Sequence, residues 1–280
     1  MTEQPLHNLH FITGLPRSGS TLLSAILRQN PGVHASISSP VSAITTATKL
    51  VMSQNSEVAT LIDDEVRRRI LTGVFVSYYS NHQDYDLILD TNRNWSSRIA
   101  ELLYLFPGAR FIVTVRDLAW VFDSLERILK RNALRQSNIV KPGASLATRM
   151  DMVLGSDGFI GGPLSGVKEA FFGPNSDRLL LIDYKALCVA PDKVLEAIYA
   201  FVGTKSYPHT FDDLECEEER FDEALNTPSL HSVRRKVELR PRKTILPPDV
   251  FQRLSALTFW TGATQSQATR ILADRNVDED

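Results

Sequence analysis

Five short apolar runs punctuate this chain, and between them apolar residues recur at helical spacing. The runs are Leu9 to Thr13, Val33 to Ile37, Tyr85 to Asp90, Ala109 to Arg116 and Arg178 to Tyr184. A short apolar run without polar alternation is the pattern of a strand covered on both faces. Ala109-Arg110-Phe111-Ile112-Val113-Thr114-Val115-Arg116 shows it most fully and is expected at the centre of a sheet. Helices are predicted from Leu22 to about Asn30-Pro31-Gly32, from Val41 to Met52, from Asp63 to about Tyr79, from Trp95 to Phe106, from Leu118 to Ala133 and from Pro191 to Val202. Pro107-Gly108 and Gly203 supply stop signals for two of them. From Leu134 to Gly166 the pattern is irregular, with one short helix near Leu146 to Leu154 and a Gly-rich stretch from Gly155 to Pro163. Connections of that length in a compact domain are functional lids or disordered segments. Beyond Lys205 an acidic stretch, Asp212 to Glu223, precedes basic ones at His231 to Lys236 and Arg240 to Lys243. A terminal helix from Pro248 to about Trp260 and a polar tail complete the chain. Strands alternating with helices predict an α/β fold in which a mainly parallel sheet of about five strands lies between helical layers.

The 280 residues suffice for one large domain, 1–280, with a sizeable core. A net charge of −2 gives no global attraction to nucleic acid or to an anionic membrane, so an anion site has to be built locally. No stretch approaches about 18 consecutive apolar residues. Met1-Thr2-Glu3-Gln4-Pro5 lacks a basic segment followed by an apolar one, and a soluble, cytoplasmic protein is expected. Cys188 and Cys216 have no metal-ligand partners at the usual spacing and read as reduced thiols. Arg67-Arg68-Arg69 follows an acidic first turn and reads as a solvated helix face.

The chemistry is concentrated in the loops. Gly14-Leu15-Pro16-Arg17-Ser18-Gly19-Ser20-Thr21 joins the first strand directly to a helix. Such a connection aims backbone N–H groups and the positive end of the helix dipole at one point, which suits an anion. Its spacing resembles the P-loop, and the fold is therefore expected to be P-loop-like, but Ser20 stands where that loop has its lysine and Arg17 is the cation instead. Ligands of parallel sheets bind beyond the carboxyl ends of the strands. That rule gathers Arg17, the Asp90-Thr91-Asn92-Arg93 segment, Arg116 and Tyr184. Taken singly, Arg116 could equally cap the next helix or pair with Asp117, and Tyr184 could be a core aromatic; their shared position favours a site. Ser124, eight residues after Arg116, can reach the same region from the following helix.

These residues resemble those of PAPS-dependent sulfotransferases. Pro16-Arg17-Ser18-Gly19-Ser20-Thr21-Leu22 is similar to the family's 5′-phosphosulfate loop, in the form found in tyrosylprotein sulfotransferases and their bacterial relatives. Phe111 to Arg116 with Ser124 resembles the 3′-phosphate motif, and Leu181-Ile182-Asp183-Tyr184-Lys185-Ala186-Leu187 resembles the segment whose tyrosine approaches adenine. The anchors span residues 9 to about 203, leaving 204–280 for a C-terminal cofactor-closing loop and helix. The resemblance implies transfer of a sulfuryl group from PAPS to a hydroxyl or amine acceptor, giving PAP, with no metal expected. It implies that Arg17 and the backbone of Ser18 to Leu22 hold the 5′ end, and that Arg93 stabilises the leaving phosphate. Ser232, Arg234, Arg235 and Lys236 would belong to the closing loop.

One departure stands out. Tyrosylprotein sulfotransferases carry a glutamate base shortly after the first helix, and Ser36-Ile37-Ser38-Ser39-Pro40 offers no carboxylate. Asp90 and His34 are the candidates to replace it; each has a structural alternative, Asp90 as a partner orienting Arg93. The acceptor is a small molecule, glycan or peptide, with no nucleic acid and no membrane as partner, and a homo-oligomer is left open. The segments 134–166 and the loop after Ile37 are expected to shape its pocket. Two other readings stand beside this one: a P-loop small-molecule kinase, and a nucleotide-binding relative without catalysis.

Overall fold

The computed structural model describes residues 6–54, 57–214, 219–224 and 226–273. Met1 to Pro5, Cys216 with part of the acidic stretch, and residues 274–280 of the polar tail lie outside the described residues. In chain order the elements are β1 (Leu9–Gly14), α1 (Ser20–Leu27), β2 (Val33–Ala35), α2 (Val41–Ser53), α3 (Asp64–Tyr78), β3 (Leu87–Thr91) and α4 (Ile99–Leu105). Then follow β4 (Phe111–Val115), α5 (Leu118–Arg131), α6 (Leu146–Leu154), α7 (Gly161–Phe172), β5 (Leu179–Asp183) and α8 (Tyr184–Val189). The last are α9 (Pro191–Val202), α10 (Glu219–Ala224), α11 (Pro248–Ser255) and β6 (Thr269–Ile271).

The sheet runs β2-β3-β1-β4-β5-β6, with every neighbouring pair parallel. Its unbroken apolar runs are explained by burial on both sides. Phe111, Val113 and Val115 face one core with Phe11, Ile88 and Leu181. Ile112 faces the other with Ile12, Leu89 and Ile182. Helices α1, α8 and α9 cover the second face through residues such as Leu23, Leu187 and Ile198. The first is covered by α2 to α7 and α11, among them Phe75, Phe122 and Phe171. From β1 the chain turns to β2 and β3 on one side, and β4 and β5 lie on the other. The crevice beyond the carboxyl ends of β1 and β4 is therefore the topological switch point.

Four details differ from the sequence pattern. The sheet has six strands, not about five, because Thr269–Ile271, within the tail read as polar, adds a parallel edge strand to β5. Three residues with no apolar periodicity give no sequence signal, and the pairing is set by the neighbour. The irregular stretch 134–166 runs into a full helix, α7, whose start is Gly161-Gly162-Pro163. Its glycines have a packing role: a Cβ on Gly166 would come within 2.9 Å of Ser96 Oγ, so α7 can press against the segment after β3 only there. The helix expected from Trp95 to Phe106 is divided into a 3₁₀ stretch, Arg93–Arg98, and α4. The terminal helix likewise stops at Ser255. Among the described residues no helix is long and apolar enough to cross a membrane.

His10 in β1 carries a pH signature. Its Nδ1 accepts from the backbone N–H of Arg110 at 3.1 Å. Burial, and then the nearby Arg110 charge, lower its pKa from 6.5 to about 4. The folded state thus binds a proton later than the unfolded one, so this contribution is complete above pH 6.5 and lost as pH falls towards 4. Its full size is about 3 kcal/mol. His10→Asn keeps an acceptor near Nδ1 but cannot charge. Melting curves are expected to show a smaller loss of Tm between pH 7 and 5 in that variant than in the parent, and equal losses would refute the assignment.

Candidate functional site

Two glycines shape the loop after β1. Gly14, at φ 128, pairs in register with Thr114 of β4, and a Cβ there would lie 2.1 Å from the Thr114 carbonyl oxygen. Gly19, at φ 98, is the N-cap of α1, and its Cβ would lie 2.8 Å from the Tyr184 ring. Between them Arg17 holds a left-handed backbone, φ 61. Ser18 turns inward, its hydroxyl meeting the Thr114 hydroxyl at 2.7 Å and donating to the Thr114 carbonyl at 2.9 Å. The loop is therefore nailed to β4, with the first N–H groups of α1, from Ser20, Thr21 and Leu22, at its mouth. Ser18 itself does not line the cavity, and its hydroxyl is spent on β4.

The cavity beyond this loop has a volume of about 560 Å³. Pro16, Arg17, Gly19, Ser20, Thr21 and Leu22 line one side; Arg93, Arg116, Ser124 and Tyr184 line it from the other strand ends. Ser232, Arg234 and Lys236 contribute from the C-terminal region, as do Arg240 and Arg242. Seven cationic side chains thus face it, against one carboxylate, Glu238. Some are already paired: Arg240 with Glu238, Arg242 with Asp123 at 3.1 Å, and Lys236 with Asp212 at 3.2 Å. In a chain of net charge −2 this is a focused positive field. Arg235 is outside it: the side chain is exposed and 3.8 Å from Asp213, so its expected place in the cofactor-binding set is corrected.

Arg17 is the hub. Its Nε donates to Ser124 Oγ at 3.2 Å, and its Nη1 donates to the Leu230 carbonyl. Burial, followed by the neighbouring Arg116, draws its pKa down to about 10, which leaves it charged at neutral pH. Because the Ser124 oxygen accepts from Arg17, its O–H can still donate to an anion. Arg116 stacks on the Tyr184 ring, 4.2 Å from the centroid. The helix-cap alternative for Arg116 falls, since Asp117 caps α5 by accepting from Ala119 N at 2.8 Å. Burial pushes the Tyr184 phenol up to about 12, so it stays a neutral donor. The chain that follows Arg242 is fixed by Asp123, wholly buried on α5, which accepts from Ile245 N at 2.7 Å and Thr244 Oγ1 at 3.0 Å.

After β3, Asn92 Oδ1 accepts from Asn94 N at 3.0 Å, and Thr13 Oγ1 accepts from Ser96 N at 3.1 Å. These bonds set Arg93 at the cavity, its guanidinium 4.3 Å over the Phe159 ring. Burial lowers its pKa. Asp90 is not there. Its carboxylate lies in the core, accepting from Tyr79 Oη and Trp95 Nε1, each at 2.7 Å. Burial raises its pKa while bonds from Tyr79, Ser39 and Trp95 oppose the rise. The expectation of a catalytic Asp90 is corrected to a strut that orients the loop after β3. His34 is also away from the cavity, stacked 4.0 Å from the His82 ring and held neutral, with a pKa of about 4, by burial first and then by His82. Of the two segments expected to shape the acceptor pocket, Ile37 and Ser38 reach it from one and Phe159 from the other.

Sequence reasoning missed a pair. His231 lines the cavity, and its Nδ1 lies 2.6 Å from Asp222 Oδ1 while its backbone N–H donates to Asp222 Oδ2 at 2.9 Å. A lone histidine at the head of a basic segment gives no spacing signal, and only the fold brings the acidic stretch against it. Among the described residues no group of three or more His, Cys, Asp or Glu side chains is placed to hold a metal ion.

Known proteins share this architecture. A profile described as "Sulfotransferase family" matches residues 10–208. No match is found among curated proteins. The chain is similar to the sulfotransferase domain from the curacin biosynthetic pathway, at 14% identity and a TM-score of 0.59, covering 90% of this chain and 98% of that one. It is also similar to a sulfotransferase from Alicyclobacillus acidocaldarius, at 13% identity and a TM-score of 0.51, covering 80% and 90% respectively. Identities this low speak for the fold. None of the comparisons singles out the tyrosylprotein branch.

Proposed function

This chain belongs to the sulfotransferase family, and from that premise we propose that it moves a sulfuryl group from PAPS to a hydroxyl or amine acceptor and releases PAP. The observation that carries the reading is the pair of anion stations facing one cavity: the loop of Arg17 and the start of α1, and Arg116 with Ser124. A nucleotide with phosphates at both its 5′ and 3′ ends uses both. Gly14 and Gly19 let the anion loop press against Thr114 and Tyr184, since a Cβ at either would strike that neighbour. In this reading the N–H groups from Gly19 to Leu22 and Arg17 hold the 5′ end, Arg116 and Ser124 hold the 3′-phosphate, and Tyr184 lies towards the base. PAPS supplies the activated sulfuryl group. The protein contributes fixed positive charge around it, chiefly Arg17 and Arg93, in a site that needs no reorganisation. Arg93 acts as a charge and not as an acid, since a guanidinium keeps its proton. The acceptor hydroxyl or amine belongs to a small molecule, glycan or peptide.

Calorimetry tests the two stations separately. PAP is expected to bind the parent, and AMP, which lacks the 3′-phosphate, to bind roughly 10- to 100-fold more weakly. Arg116→Ala should weaken PAP by a similar factor while leaving AMP nearly unchanged. Equal loss for both nucleotides, or preference for ATP with Mg²⁺ over PAP, would sink the reading.

A further inference from the structure

The serine-rich segment after β2 holds no base. Ser36 Oγ accepts from Thr91 N at 2.8 Å, and Ser39 Oγ accepts from Val41 N at 3.0 Å, so both hydroxyls serve the backbone. Asp90 and His34 are elsewhere, as described above. An acceptor hydroxyl still has to lose its proton as its oxygen attacks, and the group that takes it must be unprotonated, basic and at the cavity.

We propose that His231 is that base and that Asp222 is its positioning residue. The proposal rests on the reading of this cavity as a sulfuryl-transfer site. His231 lines the same cavity as Arg17 and Arg93, and the residue before it, Leu230, accepts from Arg17 Nη1. The imidazole is thereby tied to the loop that takes the anion. Asp222, buried, grips His231 twice, at the backbone N–H and at Nδ1. A carboxylate 2.6 Å from Nδ1 accepts from the Nδ1–H, which makes Nε2 the basic nitrogen. The arrangement matches the logic by which a buried carboxylate fixes a histidine's tautomer and steadies the imidazolium that forms. A His at this place needs no other carboxylate after β2.

In the step, the acceptor O–H gives its proton to Nε2 and its oxygen forms a bond to sulfur. The bond from sulfur to the bridging phosphate oxygen breaks, and that oxygen keeps the electron pair beside Arg17 and Arg93. The imidazolium, balanced by Asp222, returns its proton to water. Among the described residues, the charged groups that act on His231 include Asp222 from α10, Arg17 from the loop before α1, and Arg93 from the segment after β3. Arg234, Lys236 and Glu238 follow on its own strand of chain. Burial lowers the His231 pKa, Asp222 opposes that, and Arg17 and Arg93 add to it, so the ring is neutral at pH 7.

The test uses His231→Ala, His231→Gln and Asp222→Asn in the full chain, with PAP binding by calorimetry, PAP release from PAPS, and NMR of histidine-labelled protein. Acceptors are water, phenol and an acidic nitrophenol already ionised at the assay pH. Both His231 variants are expected to bind PAP within about threefold of the parent and to lose roughly 100-fold or more of kcat with phenol. Loss with the nitrophenol, which needs no base, should be much smaller. Asp222→Asn should move the acid limb of kcat and the NMR titration of His231 to lower pH. The NMR spectrum of the parent should show the proton on Nδ1. Undiminished transfer to phenol in His231→Ala, equal losses with both phenols, or a proton on Nε2 instead of Nδ1 overturns the proposal alone. A parent that fails to bind PAP overturns the reading of the site.

Discussion

Arg17→Ala is expected to lower sulfuryl transfer by about 10² to 10³-fold, the usual cost of removing a fixed donor from charge that develops in the transition state. Three contacts end together. The anion loses its nearest guanidinium, Ser124 Oγ loses its donor, and the Leu230 carbonyl that precedes His231 is released. Arg17→Lys keeps the charge but not the fork, and one ammonium cannot serve Ser124, Leu230 and an anion in the planar geometry used by a guanidinium. It should therefore recover less than half of the lost free energy. Steady-state kinetics with PAPS, alongside PAP calorimetry, provide the measurement. An Arg17→Ala enzyme within threefold of the parent in kcat/KM would show that the loop backbone alone carries the site.

Gly14→Ala should damage the fold itself. Its Cβ would sit 2.1 Å from the carbonyl oxygen and 2.6 Å from the amide nitrogen of Thr114, and φ 128 is strained for any L residue. Neither atom can yield, because the Thr114 carbonyl accepts from Leu15 N at 2.9 Å and from the Ser18 hydroxyl. Overpacking and backbone strain together cost about 3 kcal/mol or more, which lowers Tm by roughly 10 °C in a chain of this size. Gly73→Ala supplies the contrast. Nothing lies within 4 Å of a Cβ there, the residue is inside α3, and alanine should stabilise that helix by up to about 1 kcal/mol. Paired melting curves of the two variants test whether the site glycine is structural, and equal shifts would refute the steric argument.

The sequence reading succeeded where one local pattern determines one outcome. Phe111 to Val115 and Leu179 to Asp183 had to be buried strands, since no other environment suits so unbroken an apolar run. The parallel sheet then led to the strand ends, and Arg17, Arg93, Arg116, Ser124 and Tyr184 do face one cavity. Failures occurred where a neighbour decides. Thr269–Ile271 becomes a strand only because β5 offers an edge. α7 hides behind Gly161, Gly162, Pro163 and Gly166: the first two glycines lie against the carbonyls of Leu154, Gly155 and Ser156, and Gly166 against Ser96 and Ser97. Asp90 closes an apolar run in sequence, where a catalytic carboxylate can stand, yet its side chain points into the core because Tyr79 and Trp95 present donors there. His231 and Asp222 belong to segments of opposite charge, and their pairing is a tertiary fact without a spacing of its own.

The double engagement of Arg17 carries a last consequence. One guanidinium both fronts the anion loop and, through the Leu230 carbonyl, fastens the wall that holds His231. In the proposed reading, nucleotide capture and fastening of that wall are linked functions of a single free energy: whatever factor the first adds to the second, the second returns to the first. Departure of the spent nucleotide and loosening of the wall become one shared event, so the residence time of the product is written into the same side chain that receives the donor.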